Sequence, residues 1–194
     1  MLNIFSKIKN KVNAVISKKL LPFIKPKMVW YKKDFSGSKR QNLRIGNTTF
    51  IDSPEKLELA DNIYIGHHNF IEASHYIKIG TGSQITSFIS ITSHSSHNSI
   101  RYYGSQYPYQ KSPLGYITGS VEIGEYCFIG PHSLILPGTK IGKGSIVSAY
   151  SKLKGEYPEF SIIEGNPARV VGSVKERDNA FLETHPELQK TYMQ

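Results

Sequence analysis

Aliphatic side chains recur at every sixth position along most of the chain. The longest run in one register comprises Ile117, Ile123, Ile129, Ile135, Ile141, Val147 and Leu153. A period of six fits neither an α-helix, with about 3.6 residues per turn, nor a strand that alternates its faces every second residue. It is typical of a short strand and a turn that repeat, and three such units predict a triangular coil of about 18 residues.

The same period precedes this run in three shorter frames, each displaced by two residues from the next. The frames are Ile45, Ile51, Leu57; then Leu59, Ile65, Ile71, Ile77; then Ile79, Ile85, Ile91. A displacement of two residues predicts a slightly wider corner. Stacked coils bury a continuous aliphatic column and hydrogen-bond to their neighbours. A β-sandwich of short strands is the alternative, but sandwiches do not keep a sixfold register.

The register breaks between Ile91 and Ile117, and residues 92–116 are polar and rich in tyrosine. Long loops in compact domains are usually functional or disordered, and the tyrosines favour an ordered loop that projects from the coils. Tyrosine and arginine bind sugar rings well, although they could equally contact a neighbouring subunit. The candidate acceptor-binding residues are His97, Arg101, Tyr102 and Tyr103.

The repeat and three motifs resemble the hexapeptide-repeat acyltransferases, in particular their sugar O-acetyltransferase branch. The motifs are Ile129-Gly130-Pro131-His132, Leu136-Pro137-Gly138-Thr139-Lys140-Ile141-Gly142 and Gly165-Asn166-Pro167-Ala168-Arg169-Val170. The resemblance covers about residues 45–175. It implies an all-β fold, a left-handed parallel β-helix of hexapeptide repeats, with acetyl-CoA as the acyl donor and a homotrimer as the assembly.

The resemblance also implies a catalytic histidine where the coil meets the loop, and Thr92-Ser93-His94 matches that setting. His94 would act as a general base on an acceptor hydroxyl, with His97 as the alternative base. Ile71 follows Leu59 by twelve residues, as Ile91 follows Ile79, so Glu72 should stack beside Thr92–His94 and orient the base. The two histidines also suggest a zinc site as an alternative. The loop and the Gly-Asn-Pro-Ala-Arg ending, however, differ from the corresponding segments of the relatives that bind zinc. No metal is therefore expected.

In the resembled family, the acyl donor lies in a groove between adjacent β-helices. The matching positions here are Phe128, Gly130, Pro131, Ser148, Ala149, Asn166 and Arg169. Small residues at corners allow close approach to the backbone, and arginine suits a phosphate. Taken singly, the corner residues could equally be tight turns.

The charge of +9 is concentrated at the N-terminus: residues 1–44 hold twelve of the 24 Lys and Arg but one of the 15 acids. A basic arm on a near-neutral body favours an anionic surface over nucleic acid. Residues 3–20 predict an amphipathic helix that either caps the coils or contacts a membrane through residues 1–24. We expect a helical arm at 1–44, the β-helix at 45–175, and a tail or short helix at 176–194.

Neither a signal peptide nor a spanning segment is recognisable, and Cys127 is the single cysteine, so a cytoplasmic location is expected, with possible peripheral contact at the inner face of the membrane. The leading functional hypothesis is transfer of acetyl from acetyl-CoA to a hydroxyl of a surface or exported glycan. The alternatives are acetylation of a free sugar or antibiotic, and an inactive β-helix that serves as a scaffold.

Overall fold

The computed structural model describes residues 25–193. The helix predicted for residues 3–20 and the membrane contact predicted for residues 1–24 lie outside the described residues. The strands are β1 (Met28–Lys33), β2 (Lys39–Gly46), β3 (Phe50–Asp52), β4 (Leu57–Leu59), β5 (Tyr64–Ile65), β6 (Phe70–Glu72), β7 (Ile77–Ile79), β8 (Gln84–Ile85), β9 (Ser90–Thr92), β10 (His94–Ser95), β11 (Ile117–Thr118), β12 (Val121–Ile123), β13 (Phe128–Ile129), β14 (Leu134–Ile135), β15 (Lys140–Ile141), β16 (Ile146–Val147), β17 (Lys152–Leu153), β18 (Glu156–Tyr157), β19 (Ser161–Gly165) and β20 (Ala168–Ser173). The α-helices are Ser99–Tyr103 and Val174–Thr184, and the 3-10 helices are Pro54–Lys56, Gly104–Tyr109 and Pro186–Lys190.

Eighteen of these strands form three sheets, which we call faces A, B and C. Face A has the order β1-β2-β5-β8-β13-β16-β19-β20, face B has β17-β14-β9-β6-β3, and face C has β18-β15-β12-β7-β4. The chain visits the faces in turn, and each coil pairs in parallel with the next one on all three faces. This is a left-handed parallel β-helix, as the resemblance implies.

The inward positions of the coils are the aliphatic residues of the sixfold pattern. Ile65, Ile85, Ile129 and Val147 succeed one another along face A, each fully buried. Equivalent columns run behind faces B and C, and together they form one continuous core. Removing this surface from water is the main favourable term in the stability of the coils.

Two of the three corners have constant length. Within one coil, the core residue of face A and the next core residue, on face B, are six positions apart. Examples are Ile45 and Ile51, and Ile129 and Ile135. The corner from face C to face A also keeps six positions in every coil, for example from Ile79 to Ile85.

All variation in coil length falls at the remaining corner, from face B to face C, which we call the BC corner. It spans eight positions from Ile51 to Leu59, six in the coil of Ile135 and Ile141, and four in the last coil. The first coils therefore contain 20 residues, and the wider corner predicted from the two-residue frame shifts is this one. The insertion of residues 93–120 also leaves from the BC corner.

The predicted helical arm of residues 1–44 is wrong for its second half, because β1 and β2 form an antiparallel hairpin at the edge of face A. The hairpin turn is built on Asp34, whose carboxylate accepts hydrogen bonds from the backbone of Ser36 and Ser38 and pairs with Arg40 at 2.7 Å. This compact network favours a turn over a helix. The β-helix therefore begins at β2, where Arg44 pairs with Tyr64.

The C-terminal end is closed by β20, which turns back antiparallel on β19. The helix Val174–Thr184 follows, with the Ser173 hydroxyl accepting from the Glu176 amide at 3.4 Å as its N-terminal cap. Across residues 25–193, none of the helices has the length and apolar character needed to span a membrane.

Candidate active site

His94 lies at the BC corner, two residues after the end of a buried strand of face B. β10, which contains His94, pairs antiparallel with β11, so that His94 stands opposite Thr118. This short ladder is the stem from which residues 96–116 project, and we call this segment the excursion. The ladder holds the backbone of His94 in place, and the imidazole remains 32% exposed.

Glu72 lies one coil earlier, where β6 pairs with β9 and sets Glu72 beside Thr92, two residues before His94. Its Oε2 atom is 2.7 Å from Nδ1 of His94. The carboxylate is buried, with 3% of the residue exposed. The stacking expected from coil arithmetic thus brings the two predicted residues into direct contact.

Glu72 is stabilised in its charged form by its immediate neighbours. Ser74 donates its backbone N–H to Oε1 at 2.8 Å, and Ser93 donates its backbone N–H and its hydroxyl to Oε2, each at 3.0 Å. Burial acts to raise the pKa of Glu72, but these hydrogen bonds outweigh it and hold the pKa at about 2. Glu72 is therefore a carboxylate at neutral pH and can only accept hydrogen bonds.

The contact fixes the tautomer of His94. Since ionised Glu72 accepts, Nδ1 of the neutral imidazole carries the proton and Nε2 is left as the acceptor. The ring of Tyr116 stacks on the imidazole with centroids 5.3 Å apart and planes at 16°. The hydroxyl of Ser74 lies 3.1 Å from Nδ1 of His94 and 2.9 Å from Nδ1 of His75, so a second histidine adjoins the pair.

His97, the alternative base, has a different environment. It is exposed, and its Nδ1 lies 2.7 Å from the hydroxyl of Ser95. Among the ion pairs of the described residues, none joins His97 to a carboxylate. An imidazole without an orienting acceptor is the weaker general base, so the geometry favours His94.

The other predicted acceptor-binding residues mainly hold the excursion together. Arg101 donates to the carbonyl of His97 and to Oδ1 of Asn98. The hydroxyl of Tyr103 accepts from the Leu114 amide at 3.0 Å, whereas Tyr102 is 66% exposed. Residues 99–109, expected as a loop, are a short α-helix followed by a 3-10 helix.

A cavity of about 550 Å³ opens beside Tyr116, between the BC corner and the excursion. Its lining residues are His75, Tyr107, Gln110, Lys111, Ser112, Pro113 and Tyr116. Six of the seven lie in the segment 92–116 that the sequence predicted to bind the acceptor, but none of the seven was among the individual candidates. The arithmetic that paired Glu72 with Thr92 also sets position 74 beside position 94, and could have drawn attention to His75.

The predicted donor-binding residues follow one edge of the molecule, along face A and its corner with face B. Phe128 is 39% exposed on face A and is followed in register by Ile146 and Ile162, both half-buried. These three side chains form an apolar strip. It fits the elongated, largely apolar arm of an acyl-CoA.

The corner beside the strip presents backbone and small side chains. A Cβ atom on Gly130 would lie 2.6 Å from the amide nitrogen of Ala149, so only glycine allows these two coils to approach so closely. Pro131 follows Gly130 at this corner, and the Ser148 hydroxyl donates to Glu164 at 3.2 Å.

Asn166 continues this edge after β19, and Arg169 lies on β20, where its guanidinium donates to the carbonyl of Ala168 at 3.0 Å. An exposed strip, an open corner and a guanidinium thus lie in sequence along the edge. The residues present fit an acyl-CoA.

The two halves of the predicted site do not meet within one chain. His94 follows a strand of face B, whereas Gly130 and Pro131 precede one, so the width of face B separates them.

A larger groove of about 640 Å³ runs along face C, away from both groups. Its outward side chains alternate in charge: Glu58, Lys78, Glu122, Lys140 and Glu156. Lys78 pairs with Glu58 at 3.1 Å and Lys140 with Glu156 at 3.8 Å. The lysines and glutamates of the groove therefore pair with each other, and no histidine lines the groove to act as a base.

A metal site is also not evident in the part of the chain that the structure describes, because no three His, Cys, Asp or Glu side chains there are grouped to hold an ion. The cysteine is buried, and burial raises the pKa of the Cys127 thiol to about 11. Cys127 is therefore a protonated core residue at neutral pH.

Comparison with known proteins places the repeat in a described family. Residues 118–155 match the family model "Bacterial transferase hexapeptide (six repeats)". The galactoside O-acetyltransferase of Escherichia coli K12 is 27% identical over 145 residues, which are 71% of this chain and 66% of that protein. A putative lipopolysaccharide biosynthesis O-acetyl transferase of the same strain, WbbJ, is 30% identical over 116 residues, 58% of each chain.

The chain thus spans less than two thirds of the length of these two relatives. Among solved structures, a maltose O-acetyltransferase from Clostridium difficile 630 superposes with a TM-score of 0.54 at 17% identity, covering 70% of this chain and 65% of that one. That likeness establishes the fold.

Proposed function

The chain belongs to the hexapeptide-repeat acetyltransferase family, and from that premise we propose that it transfers an acetyl group from acetyl-CoA to a sugar hydroxyl. The observation that carries the proposal is the contact between His94 and the buried, ionised Glu72. It supplies an imidazole oriented by a carboxylate, and Tyr116, which stacks on that imidazole, lines a cavity. The named relatives acetylate or are inferred to acetylate sugars, which supports the same reaction class here.

In this proposal Nε2 of His94 removes the proton from the acceptor hydroxyl as the oxygen attacks the thioester carbonyl. The C–S bond then breaks, and the thiolate of CoA leaves and takes up the proton from the imidazolium. Glu72 stays ionised and stabilises the positive charge that forms on the ring. The step is a direct transfer, and no acyl-enzyme is formed.

The acetyl-CoA would lie along the apolar strip of Phe128 and the corner formed by Gly130, Pro131, Ser148 and Ala149, with Asn166 and Arg169 near its nucleotide end. Because face B separates this edge from His94 in one chain, the edge of one copy would face His94 of the next. A closed ring of three copies satisfies this head-to-tail arrangement, since heterologous contacts that close generate cyclic symmetry. The homotrimer is thus part of the proposal.

The acceptor we favour is a unit of a surface or exported glycan, which a name among the relatives supports. Free sugars and small molecules are acceptors within the same reaction class. We place the activity in the cytoplasm, at the inner face of the membrane. The support is the exposed basic hairpin, where Lys32, Lys33 and Lys39 lie together with little opposing charge.

Thioester consumption tests the proposal most simply. Wild-type protein is mixed with acetyl-CoA, a panel of sugars and glycan fragments, and a thiol-reactive reporter of released CoA. We expect acceptor-dependent release, and O-acetylated product by mass spectrometry. Calorimetry with CoA separates the remaining outcomes: binding without turnover points to a missing acceptor, whereas absence of both binding and turnover favours the scaffold hypothesis and overturns the proposal.

A further inference from the structure

The cavity beside Tyr116 combines groups from two separate segments of the chain. His75 comes from the BC corner, and the other lining residues come from positions 107–116 of the excursion. Its volume of about 550 Å³ lies inside the range of roughly 300–1,000 Å³ that is usual for small-molecule sites. Tyr116 also stacks on His94, so the cavity adjoins the proposed base.

The lining suits a sugar ring. Tyr107, Tyr116 and Pro113 provide apolar surfaces against which the carbon face of a pyranose can pack, while Gln110 and Ser112 offer hydrogen-bonding groups. Burial raises the pKa of Tyr116, with Tyr107 and Glu72 adding to the effect, so its phenol keeps its proton and can donate a hydrogen bond.

The lining of the cavity contains a lysine and no carboxylate. Residues 73–121 contain no Asp or Glu, whereas Arg101 and Lys111 are cations of the excursion. The adjoining carboxylate in the chain is Glu72, which is buried and already accepts hydrogen bonds from Ser74 and Ser93 while it contacts His94. Glu72 is therefore paired with His94 rather than with Lys111, although its charge still acts on Tyr116 in the lining.

Lys111 is the fixed positive charge in the lining, and it is exposed. None of the ion pairs among residues 25–193 involves Lys111. Arg101, in contrast, is directed at the carbonyl of His97 and the side chain of Asn98. A negatively charged group in the cavity would give the Lys111 ammonium a charge-assisted partner.

We propose that the acceptor is an anionic sugar, whose carboxylate or phosphate group pairs with Lys111 while its ring lies against Tyr107 and Tyr116. The hydroxyl to be acetylated would then be presented to Nε2 of His94. This inference rests on the proposed function, since it names the acceptor class of the same site. The ammonium is partly hydrated, so the preference for the charged sugar is about tenfold rather than absolute.

Direct binding tests the inference independently of turnover. Calorimetry at low salt compares methyl glucuronide with its uncharged carboxamide, and glucose 6-phosphate with glucose. We expect the charged member of at least one pair to bind about tenfold more tightly, and the two pairs distinguish a carboxylate from a phosphate. The advantage should shrink in Lys111→Gln and as salt is added.

Lys140→Gln is the matched control, because Lys140 lies on face C and pairs with Glu156. It should keep the wild-type ratio between charged and uncharged sugars. Equal binding within both pairs, or no binding of any member at millimolar concentration, would overturn the inference.

Failure of this inference and failure of the proposed function are distinguishable. If neutral sugars are acetylated as efficiently as their anionic counterparts, acetyl transfer stands and the anionic acceptor is wrong. If charged sugars bind through Lys111 but CoA is not released with any acceptor, the anion site stands and the transferase assignment is wrong.

Discussion

At the scale of single residues, the site depends on a carboxylate that is ionised although it is buried. Glu72 lies under His94 with 3% of its surface exposed, and a charge in such a place is tolerated when hydrogen bonds replace water. Ser74 and Ser93 supply those bonds. The sixfold register predicts that Glu72 lies near His94, because Glu72 ends β6 and His94 closely follows β9, which stacks on β6.

The serines and His75 were harder to predict. Serine is common throughout this chain, and its role at the corner depends on backbone direction, which the period of the core does not specify. The same limit applies to Lys111, which lies in a segment without repeat. Residues of the coils are thus predictable from register, and residues of the excursion are not.

Our first prediction concerns the acid stability of wild type and Glu72→Gln. The pKa of Glu72 is lowered from 4.5 to about 2, so its contribution to folding is fully present above pH 4.5 and is lost as pH falls towards 2. We expect the difference in free energy of unfolding between the two proteins to shift by on the order of 3 kcal/mol across that window. Urea unfolding at a series of pH values measures it; a pH-independent difference would refute the ionised, hydrogen-bonded Glu72.

At the scale of elements, the corners explain why one part of the coil can vary and the others remain fixed. The corners at either end of face A keep six positions in every coil, and their tight backbone packing leaves little space. The BC corner spans eight, six and four positions, and it also carries the excursion. The proposed active site is therefore located at the corner where the fold tolerates inserted residues.

The second prediction tests this tight packing. Gly66→Ala would bring a Cβ atom within 2.6 Å of the Thr86 carbonyl oxygen, which is backbone and cannot move alone. We expect a loss of about 1–3 kcal/mol in thermal or urea unfolding, as for other overpacked positions. Gly172→Ala is the matched control, since its Cβ would meet Ile162 at an ordinary 3.4 Å. Equal effects of the two substitutions would contradict the account of the corners.

The third prediction concerns the excursion as a unit. Replacing residues 96–115 by a short Gly-Ser linker keeps the ladder of β10 and β11 and removes most of the cavity. We expect the coils to unfold at nearly the wild-type temperature and CoA to bind with wild-type affinity, because neither depends on the excursion. Acceptor-dependent release of CoA should be lost. A variant that still acetylates the acceptor at the wild-type rate would exclude residues 96–115 from the site.

At the scale of the whole molecule, the sequence predicted the β-helix well and its N-terminal end poorly. The period of six follows from burial of one aliphatic column, so it is visible wherever the coils are regular. The hairpin of β1 and β2 lies outside that column, and its lysines were grouped with the basic arm, whose helix was predicted from the spacing of residues 3–20. Its turn depends on the Asp34 network, which involves a specific geometry rather than a pattern.

The fourth prediction tests whether the site is shared between copies. His94→Ala removes the proposed base, and Ala149→Trp would block the donor corner from an exposed position. Each variant alone should be inactive. Co-expressed in equal amounts, they should regain activity at about a quarter of the sites if each site combines His94 of one copy with the corner of the next. Mixtures that remain inactive while forming mixed oligomers would place the whole site within one chain.

The central claim, that His94 is the general base of acetyl transfer, is tested most directly by steady-state kinetics of wild type, His94→Ala and His97→Ala with acetyl-CoA and an acceptor found in the sugar panel. The account predicts that kcat falls by about 10²–10⁴-fold in His94→Ala, the usual contribution of a general base, while binding of CoA by calorimetry is kept. His97→Ala, which lacks contact with Glu72, should retain kcat within a few-fold of wild type. A loss of kcat confined to His97→Ala would contradict the assignment and move the base three residues along the chain.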